Sequence, residues 1–340
     1  MKHPYRLYVV IFICMVTAVK GFAQPSSENK HAGYAVGFTT MSFQEGNQRV
    51  IMHVWYPGMA NGKPSRYSPF EYLQSFRKVS GYGNHKDSVQ LAIATFLDEY
   101  GVDSLKIQAA MQKIAVNFDT VYPGAKALNK KFPVIIINSA LTNEAIHHTR
   151  LASFLAAKGY VVALLGSGSA NQRSTVLNYD TTGVNHQVSD IRIALKGIGQ
   201  KIKHADVKKL AIISWSVGGI AAWQFAQQTG IPKLLISLDA AMGYAYGLDI
   251  HRQFKPVLKA NPSIKMLHFS GKQGSVKHDL SFLASQNNGQ ISFISQPLLN
   301  HYHFTCIANF MNQSVSGNKE TTAAYLSMVE GVYAFINKFL

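Results

Sequence analysis

The sequence predicts an α/β fold, with a mostly parallel central sheet flanked by helices and a helical insertion. From Lys131 onward, short apolar runs alternate regularly with segments of helical spacing. The runs show little polar alternation, as expected for strands that are covered on both faces. The chain has 340 residues, enough to bury one large core. We therefore expect a single domain over residues 24–340.

The first 23 residues have the pattern of a bacterial-type signal peptide. A basic start, Met1–Arg6, precedes the apolar run Leu7–Val19, and Gly21 and Ala23 are small residues of the kind that a signal peptidase reads. Cleavage before Gln24 is expected because the apolar run is short for a bilayer span, and an uncleaved anchor is the alternative. The sequence thus predicts an exported protein, periplasmic or secreted, with no stable membrane span.

Charge and cysteine content narrow the function classes. Loss of the signal peptide lowers the formal charge from +16 to +13 and leaves Cys306 without a second cysteine, since Cys14 lies in the removed segment. The basic balance is compatible with an acidic partner. Lys and Arg are nevertheless spread along the chain, without the aromatic-interleaved basic stripe that is typical of nucleic-acid binding. We therefore expect no nucleic-acid partner.

The chain before residue 131 predicts two strands and the insertion. The strands are expected at Tyr34–Phe43 and Arg49–Tyr56, and the second places Val50, Met52, Val54 and Tyr56 on one face. Residues 60–130 have helical spacing instead, with helices expected at Ser68–Phe76, Asp87–Tyr100 and Ser104–Phe118. This insertion is either a cap over the site or an element packed at the edge of the sheet.

The rest of the chain predicts alternating strands and helices. Strands are expected at Phe132–Asn138, Tyr160–Leu165, Leu210–Ser214, Lys233–Leu238, Lys265–Phe269 and Gln290–Ser295. Helices are expected at His147–Lys158, Val188–Lys203, Gly218–Gln228 and Thr322–Phe339. Helices between successive strands indicate a parallel sheet that is covered on both faces.

The segment around Ser216 has the form of a nucleophile elbow. An apolar run ending at Ile213 leads into Ser-Trp-Ser-Val-Gly-Gly, and a helix is expected from Gly218. A tight turn from strand to helix holds a central serine clear of the sheet, and small neighbours let the two elements cross closely. The helix N-terminus favours the negative charge that develops in acyl transfer. Ser214 stands where the usual G-x-S-x-G pattern has its first glycine.

A serine nucleophile needs a histidine base and an acid that orients the base. In this kind of fold, the nucleophile, the acid and the histidine occur in that order, each after a strand. Asp239 directly follows the apolar run Leu234–Leu238, and His301 follows the last predicted strand. We therefore expect Ser216, Asp239 and His301 to form a catalytic triad.

Other residues are alternatives for two of these roles. Asp279 follows the next strand, where many members of this fold carry the acid, and Asp249 is a third choice. For the base, His303 lies two residues from His301. An aspartate at a strand end is often only a loop cap, but the chain order favours Asp239.

Two backbone N–H groups are expected to bind the oxyanion. One belongs to Val217, directly after the nucleophile. The other is expected in the loop after the Phe132–Asn138 strand, where Leu141 is our choice.

The order of elements resembles the α/β-hydrolase superfamily, and more narrowly its platelet-activating-factor acetylhydrolase and dienelactone-hydrolase-like branch. The passages that carry the resemblance are Arg49–Pro57, ending Val-Trp-Tyr-Pro; Phe132–Ile137, followed by Ala157–Val162; and Asp239, which lies 23 residues after Ser216. His301-Tyr302-His303-Phe304 matches that branch's histidine, two residues and phenylalanine. The resemblance therefore implies the α/β-hydrolase fold and places the base at His301.

The sequence departs from that branch at three places beside the expected site. Ser139-Ala140 stand in place of His-Gly in the oxyanion loop, and Ser214-Trp215 in place of Gly-His before the nucleophile. Gly166–Ser169 replaces a charged run after the next strand. The expected triad is complete, so these changes bear on the substrate and the rate.

Three further patterns could suggest a metal site, a phosphate-binding loop or a reactive thiol, but each is discounted, so we expect no cofactor and no metal. His147-His148, with Glu144 one turn before His148, lacks a matching ligand set elsewhere. Gly166–Ser169 lacks the spacing of a phosphate-binding loop. Cys306 is interpreted as a packed thiol.

These observations together predict an exported serine hydrolase that cleaves a carboxylic ester, a short acyl or acetyl ester, through an acyl-enzyme. The expected partner is a small-molecule, lipid or polysaccharide ester. Two alternatives stand beside it. One is a serine peptidase or amidase on the same triad, and the other is a binding protein on a catalytically degenerate hydrolase fold.

Overall fold

The computed structural model describes residues 33–60, 63–81, 86–99, 102–116, 118–140, 145–166, 178–254, 264–274, 277–286, 289–311 and 318–340. Their strands are β1 (Ala35–Glu45), β2 (Gln48–Gly58), β3 (Ser65–Tyr67), β4 (Asp119–Pro123), β5 (Phe132–Asn138), β6 (Val161–Leu165), β7 (Ala205–Trp215), β8 (Leu234–Leu238), β9 (Lys265–Ser270) and β10 (Ile291–Ser295). Their helices are α1 (Pro69–Ser80), α2 (Lys86–Glu99), α3 (Ile107–Ala115), α4 (Thr149–Ala157), α5 (Thr181–Lys201), α6 (Gly218–Thr229), α7 (Ala245–Arg252), α8 (Ser281–Gln286), α9 (Cys306–Met311) and α10 (Lys319–Phe339). The expected signal peptide and Leu141 lie outside these residues.

The strands form one sheet in the order β10-β9-β8-β7-β5-β6-β2-β1-β4-β3. Strands β5 to β10 are parallel to their neighbours within that group. Strand β2 joins them antiparallel to β6, and β1 pairs antiparallel with β2. The predicted mostly parallel sheet flanked by helices is therefore confirmed. Among the described residues, no helix has both the length and the apolar content needed to cross a membrane.

Strand β2 shows how the core is divided by the sheet. Val50, Met52, Val54 and Tyr56 belong to one buried apolar cluster, and Trp55 belongs to the other, as the alternation in the sequence predicts. Both faces of β2 are buried because β6 and β1 flank it and helices cover the sheet. Its central position, rather than its alternation, sets this degree of burial.

The insertion packs against the sheet. Helix α1 begins with a capping box formed by Ser68 and Glu71, and Gly81 ends it in a left-handed conformation. Its Leu73 and Phe76 are buried in the same cluster as Trp55 of β2. Helices α2 and α3 add Val89, Ile93, Leu97 and Ile114 to that cluster. These helices therefore share a buried cluster with the sheet, and both expected roles of the insertion, cap or edge element, stay predictions.

Some elements differ from the sequence expectation. Strands β3 and β4 were not expected. Strand β4 pairs in parallel with β1 over only two residues, and so short a pairing leaves no periodic pattern in the sequence. Helix α5 begins at Thr181 rather than Val188 because the Asp180 side chain accepts hydrogen bonds from the N–H groups of Thr182 and Gly183. The short helices α7, α8 and α9 were also not expected.

Candidate active site

Ser216 lies at a sharp turn between β7 and α6. Its φ is +57°, a conformation that is uncommon for residues other than glycine. The turn leaves no space beside it: a Cβ on Gly218 would lie 2.1 Å from the Ser139 carbonyl oxygen, and one on Gly219 would lie 2.4 Å from the Ala240 Cβ. The small residues that follow Ser216 are therefore required by the close crossing of strand and helix.

Ser214 fits the place where the usual motif has glycine. Its hydroxyl donates to the Ile236 carbonyl oxygen on the neighbouring strand β8, at 3.3 Å. On the other side of β7, in strand β5, the Asn138 side chain donates to the Gly218 carbonyl oxygen at 3.1 Å. These contacts join the turn to both adjacent strands, so the departure at Ser214 leaves the shape of the turn intact.

Asp239 and His301 are joined by a hydrogen bond. The Asp239 Oδ2 accepts from His301 Nδ1 at 2.8 Å and from the Tyr244 hydroxyl at 2.6 Å. Its Oδ1 accepts from the Gly271 N–H at 2.8 Å. Asp239 is only 1% exposed and has a φ of +47°. Burial opposes ionisation, but the bonds from His301, Tyr244 and Gly271 outweigh it and hold the Asp239 pKa below its ordinary value.

Asp239 and Ser216 are held in the same loop cluster. Asp239 directly follows β8, and two residues later the Ala241 N–H donates to the Ser216 carbonyl oxygen at 2.8 Å. Tyr246, on α7, lies near Ser216: burial raises the Tyr246 pKa, and the Ser216 side chain opposes that rise. Residues after β7 and β8 thus meet at the carboxyl edge of the sheet.

His301, the predicted base, lies on a short 3-10 turn, His301–Phe304, after β10. Its imidazole stacks on the Trp215 indole, with 5.0 Å between ring centres and 26° between ring planes. The Trp215 Nε1–H donates to the His301 carbonyl oxygen at 3.0 Å. Trp215 directly precedes Ser216, so this contact joins the turn that carries His301 to the strand that leads into Ser216.

The structure describes one of the two expected oxyanion donors. Val217 is fully buried at the N-terminal end of α6, and Leu141 lies outside the described residues. The segment just before Leu141 is fixed by Gln187, whose Nε2 donates to the carbonyl oxygens of Ser139 and Ala140 at 3.2 and 3.1 Å. The departure at Ser139-Ala140 is thus supported by a contact from α5.

Comparisons with known proteins agree with this architecture. A ferulic acid esterase from Streptomyces cinnamoneus superposes with a TM-score of 0.62 over 90% of each chain, at 15% identity. A puromycin-hydrolyzing peptidase from Mycobacterium tuberculosis superposes with a TM-score of 0.50 over 88% of this chain and 39% of that one, at 11% identity. The chain has the α/β-hydrolase fold. No protein-family model and no curated protein sequence matches it, and the narrower resemblance to the acetylhydrolase branch stays a prediction.

Within this hydrolase fold, the alternative acids and the alternative base have other contacts. Asp279 accepts a hydrogen bond from the Ser281 N–H at the start of α8, at 2.9 Å. Asp249 pairs with Arg252 on the surface of α7 at 3.1 Å. His303 Nδ1 accepts from the Asn300 N–H at 3.2 Å, as part of a capping box. The residue pair that the structure brings together is Asp239 and His301.

His147 and His148 are buried next to the site. Burial lowers the pKa of each to about 3, and the neighbouring His148 adds to the lowering of the His147 pKa. The His147 ring stacks on Trp215 with 5.7 Å between centres, and the His148 ring meets Trp215 edge-on at 5.8 Å. Within the described ranges, no group of three or more His, Cys, Asp or Glu side chains is placed to hold a metal ion.

Sequence reasoning missed several polar and aromatic residues of the site. Tyr244 and His278 contact Asp239, and Tyr246 lies near Ser216. Tyr244 and Tyr246 follow Asp239 closely in sequence, which was an available signal. No local signal identified His278, because its contact depends on the path of the chain after β9.

Proposed function

We propose that the protein is a serine hydrolase that cleaves a carboxylic ester through an acyl-enzyme, with Ser216, His301 and Asp239 as its triad. One observation supports this most. A serine at φ +57° on a strand-to-helix turn lies in the same loop cluster as a buried carboxylate bonded to a histidine at 2.8 Å. Acyl transfer by a serine requires a nucleophile on such a turn and an imidazole that is oriented by a carboxylate.

Ser216 Oγ attacks the ester carbonyl carbon, and His301 Nε2 takes the hydroxyl proton. The carbonyl oxygen becomes an oxyanion, for which the N–H groups of Val217 and Leu141 are the proposed donors. Collapse of this intermediate expels the alcohol, which takes the proton from His301 and leaves an ester on Ser216. Water then attacks that ester and gives a proton to His301, which passes it to Ser216 Oγ as the acid product leaves.

Asp239 orients the base. Because its Oδ2 accepts from Nδ1, the proton of the neutral imidazole sits on Nδ1 and Nε2 is free to accept from Ser216. The lowered pKa of Asp239 keeps the carboxylate charged, and that charge stabilises the imidazolium formed during attack.

The proposed substrate is a short acyl or acetyl ester of a small molecule, a lipid or a polysaccharide. The two superposed proteins are an esterase and a peptidase, so a matched ester and amide of the same acyl group should be compared. Preferential turnover of the amide would move the proposal to a serine amidase or peptidase on the same triad.

Ser216→Ala tests the nucleophile. Hydrolysis of p-nitrophenyl acetate should fall by about 10⁴-fold or more, since the triad works as a unit. Ser214→Ala is the matched control, because it removes a hydroxyl two residues away that bonds to Ile236 rather than facing substrate. The control should stay within about tenfold of wild type, and both variants should keep the wild-type circular dichroism spectrum. Turnover retained in Ser216→Ala would refute the assignment.

Export is part of the same proposal. Expression with the full N-terminal segment should yield a mature chain that begins at Gln24 in the periplasmic or secreted fraction. N-terminal sequencing of that fraction tests it, and a chain that keeps Met1–Arg6 and stays with the membrane would favour the uncleaved anchor.

A further inference from the structure

A second histidine, His278, lies next to the proposed triad acid. Its Nε2 is 3.1 Å from the Tyr244 hydroxyl oxygen and 4.0 Å from Asp239 Oδ1. The His278 and Tyr244 rings meet edge-on, with 4.7 Å between centres. His278 comes from the segment between β9 and α8, where many hydrolases of this fold carry their acid. In this chain the segment brings a histidine to the acid instead.

The direction of these hydrogen bonds follows from the donors available. A charged carboxylate only accepts, so the Tyr244 hydroxyl must donate its proton to Asp239 Oδ2. The Tyr244 oxygen then has only acceptor capacity left, and His278 must donate to it from Nε2. The result is a directed chain, His278 to Tyr244 to Asp239, which meets the bond from His301 on the same oxygen.

Backbone contacts fix this pair relative to the acid. Tyr244 and His278 form an antiparallel β-bridge, and the Asp279 N–H donates to the Gly243 carbonyl oxygen at 2.8 Å. Burial and the charge of Asp239 both raise the Tyr244 pKa, so its hydroxyl stays protonated throughout the range in which the enzyme would work. The donor on Asp239 is therefore permanent.

We propose that Tyr244 and His278 are positioning residues for the triad acid, and that they limit the negative charge that Asp239 presents to His301. This inference rests on the proposed function. Tyr244 and His301 donate to the same carboxylate oxygen, so each bond weakens the other. Without the Tyr244 hydroxyl, Oδ2 would interact with His301 alone among the side chains, and the imidazolium would be more stable.

Several charged and titratable groups lie around His278. Asp239 and Tyr244 contact it directly, and His268 of β9 and His301 lie on the other elements of the cluster. Lys277 and Asp279 flank it in sequence. Because the bond from His278 polarises the Tyr244 hydroxyl, loss of His278 weakens the bond from Tyr244 to Asp239. Loss of Tyr244 or loss of His278 therefore changes the basicity of His301 in the same direction.

The test is the pH profile of kcat/KM for an acetyl ester between pH 5 and 9. The acidic limb reports protonation of the free base. Tyr244→Phe should move this limb to higher pH by about half a unit or more, and His278→Leu should move it less in the same direction. His278→Gln keeps an N–H donor for Tyr244 and should keep the limb close to its wild-type position. Asp279→Asn, next to His278 but with no bond to Asp239, is the control and should not move it.

If the acidic limb of Tyr244→Phe stays at its wild-type pH, the inference is overturned. A tyrosine with only a structural role would change the stability of the protein without changing the pH dependence of its activity. If Tyr244→Phe does not fold, the comparison of His278→Leu with His278→Gln decides by the same criterion. Labelling of the wild-type protein with a fluorophosphonate distinguishes a failure of this inference from a failure of the proposed function. A labelled wild type with unmoved limbs refutes this inference alone, and an unlabelled wild type refutes the proposed function and the inference with it.

Discussion

The indole of Trp215 lies against the imidazole of His301, with ring centres 5.0 Å apart. Its Nε1–H also donates to the His301 carbonyl oxygen at 3.0 Å. The residue just before the nucleophile thus contacts both the ring and the backbone of the proposed base. In the branch that this sequence resembles, Gly-His stands where this chain has Ser214-Trp215. The change to tryptophan therefore supplies a contact for the proposed base.

Trp215→Leu should lower kcat/KM for an acetyl ester by about 10- to 100-fold, because it removes both contacts that hold His301 in place. Trp215→Phe keeps a stacking ring and loses only the Nε1–H bond, and should cost about fivefold. Trp223→Phe is the control, since Trp223 packs on Phe282 and should change the rate little. Equal rates for Trp215→Leu and wild type would show that the stack has no role in positioning.

The crossing of β7 and α6 predicts that substitutions at Gly219 and at Ser214 destabilise the protein to different degrees. Gly219→Ala should destabilise the protein by about 1–3 kcal/mol, since its Cβ would lie 2.4 Å from the Ala240 Cβ, next to Asp239. Ser214→Gly loses one hydroxyl bond to Ile236 and should cost about 1 kcal/mol. Urea unfolding measures both. A fully stable Gly219→Ala would mean that the crossing is looser than described.

The two candidate acids should respond very differently to the same change. Asp239→Asn leaves the shape of the site but cannot hold the imidazolium, so kcat should fall by about 10⁴-fold. Asp279→Asn should have little effect, because Asn is an equally good cap for the Ser281 N–H. Steady-state kinetics on the pair measures this ranking, and the reverse ranking would move the acid to Asp279.

Buried neutral histidines predict a loss of stability in acid. The His148 pKa is lowered by burial to about 3, against 6.5 in the unfolded chain. Between these values the unfolded state binds one more proton, so stability falls as pH falls through this window, by about 1.4 kcal/mol per pH unit for each such group. His53 and His147 have the same lowered values for the same main reason.

His148→Phe should reduce this acid sensitivity. Both ring nitrogens of His148 are buried without a hydrogen-bond partner in the described structure, so the substitution breaks no bond. We expect stability within about 1.5 kcal/mol of wild type at pH 7 and a higher stability than wild type at pH 5. Urea unfolding across pH 4.5–7.5 measures the slope, and an unchanged slope would contradict the buried neutral state of His148.

Much of the site was predictable because it depends on chain order. Ser216 and Asp239 directly follow β7 and β8, and parallel strands bring their carboxyl ends to one edge. The strands themselves were identifiable from continuous apolar runs between helical segments. In contrast, β4 pairs with β1 over two residues only, and no periodicity marks so short a contact.

The contacts of His278 with Asp239 and Tyr244 were not predictable from local pattern. Tyr244 and His278 come together through a β-bridge between two loops, and such a contact is set by the path of the chain after β9. The start of α5 was missed for a different reason: its first turns are polar, and the cap at Asp180 starts the helix before its apolar periodicity does.

Intact-mass labelling of the purified protein with a fluorophosphonate, followed by peptide mapping, tests the central claim most directly. The account predicts a single adduct on Ser216, lost in Ser216→Ala and kept in Ser214→Ala. It also predicts slower labelling in Asp239→Asn, since the imidazole would no longer be held for proton transfer. A well-folded protein without an adduct, or with its adduct on another residue, would contradict the claim that Ser216 is an activated nucleophile.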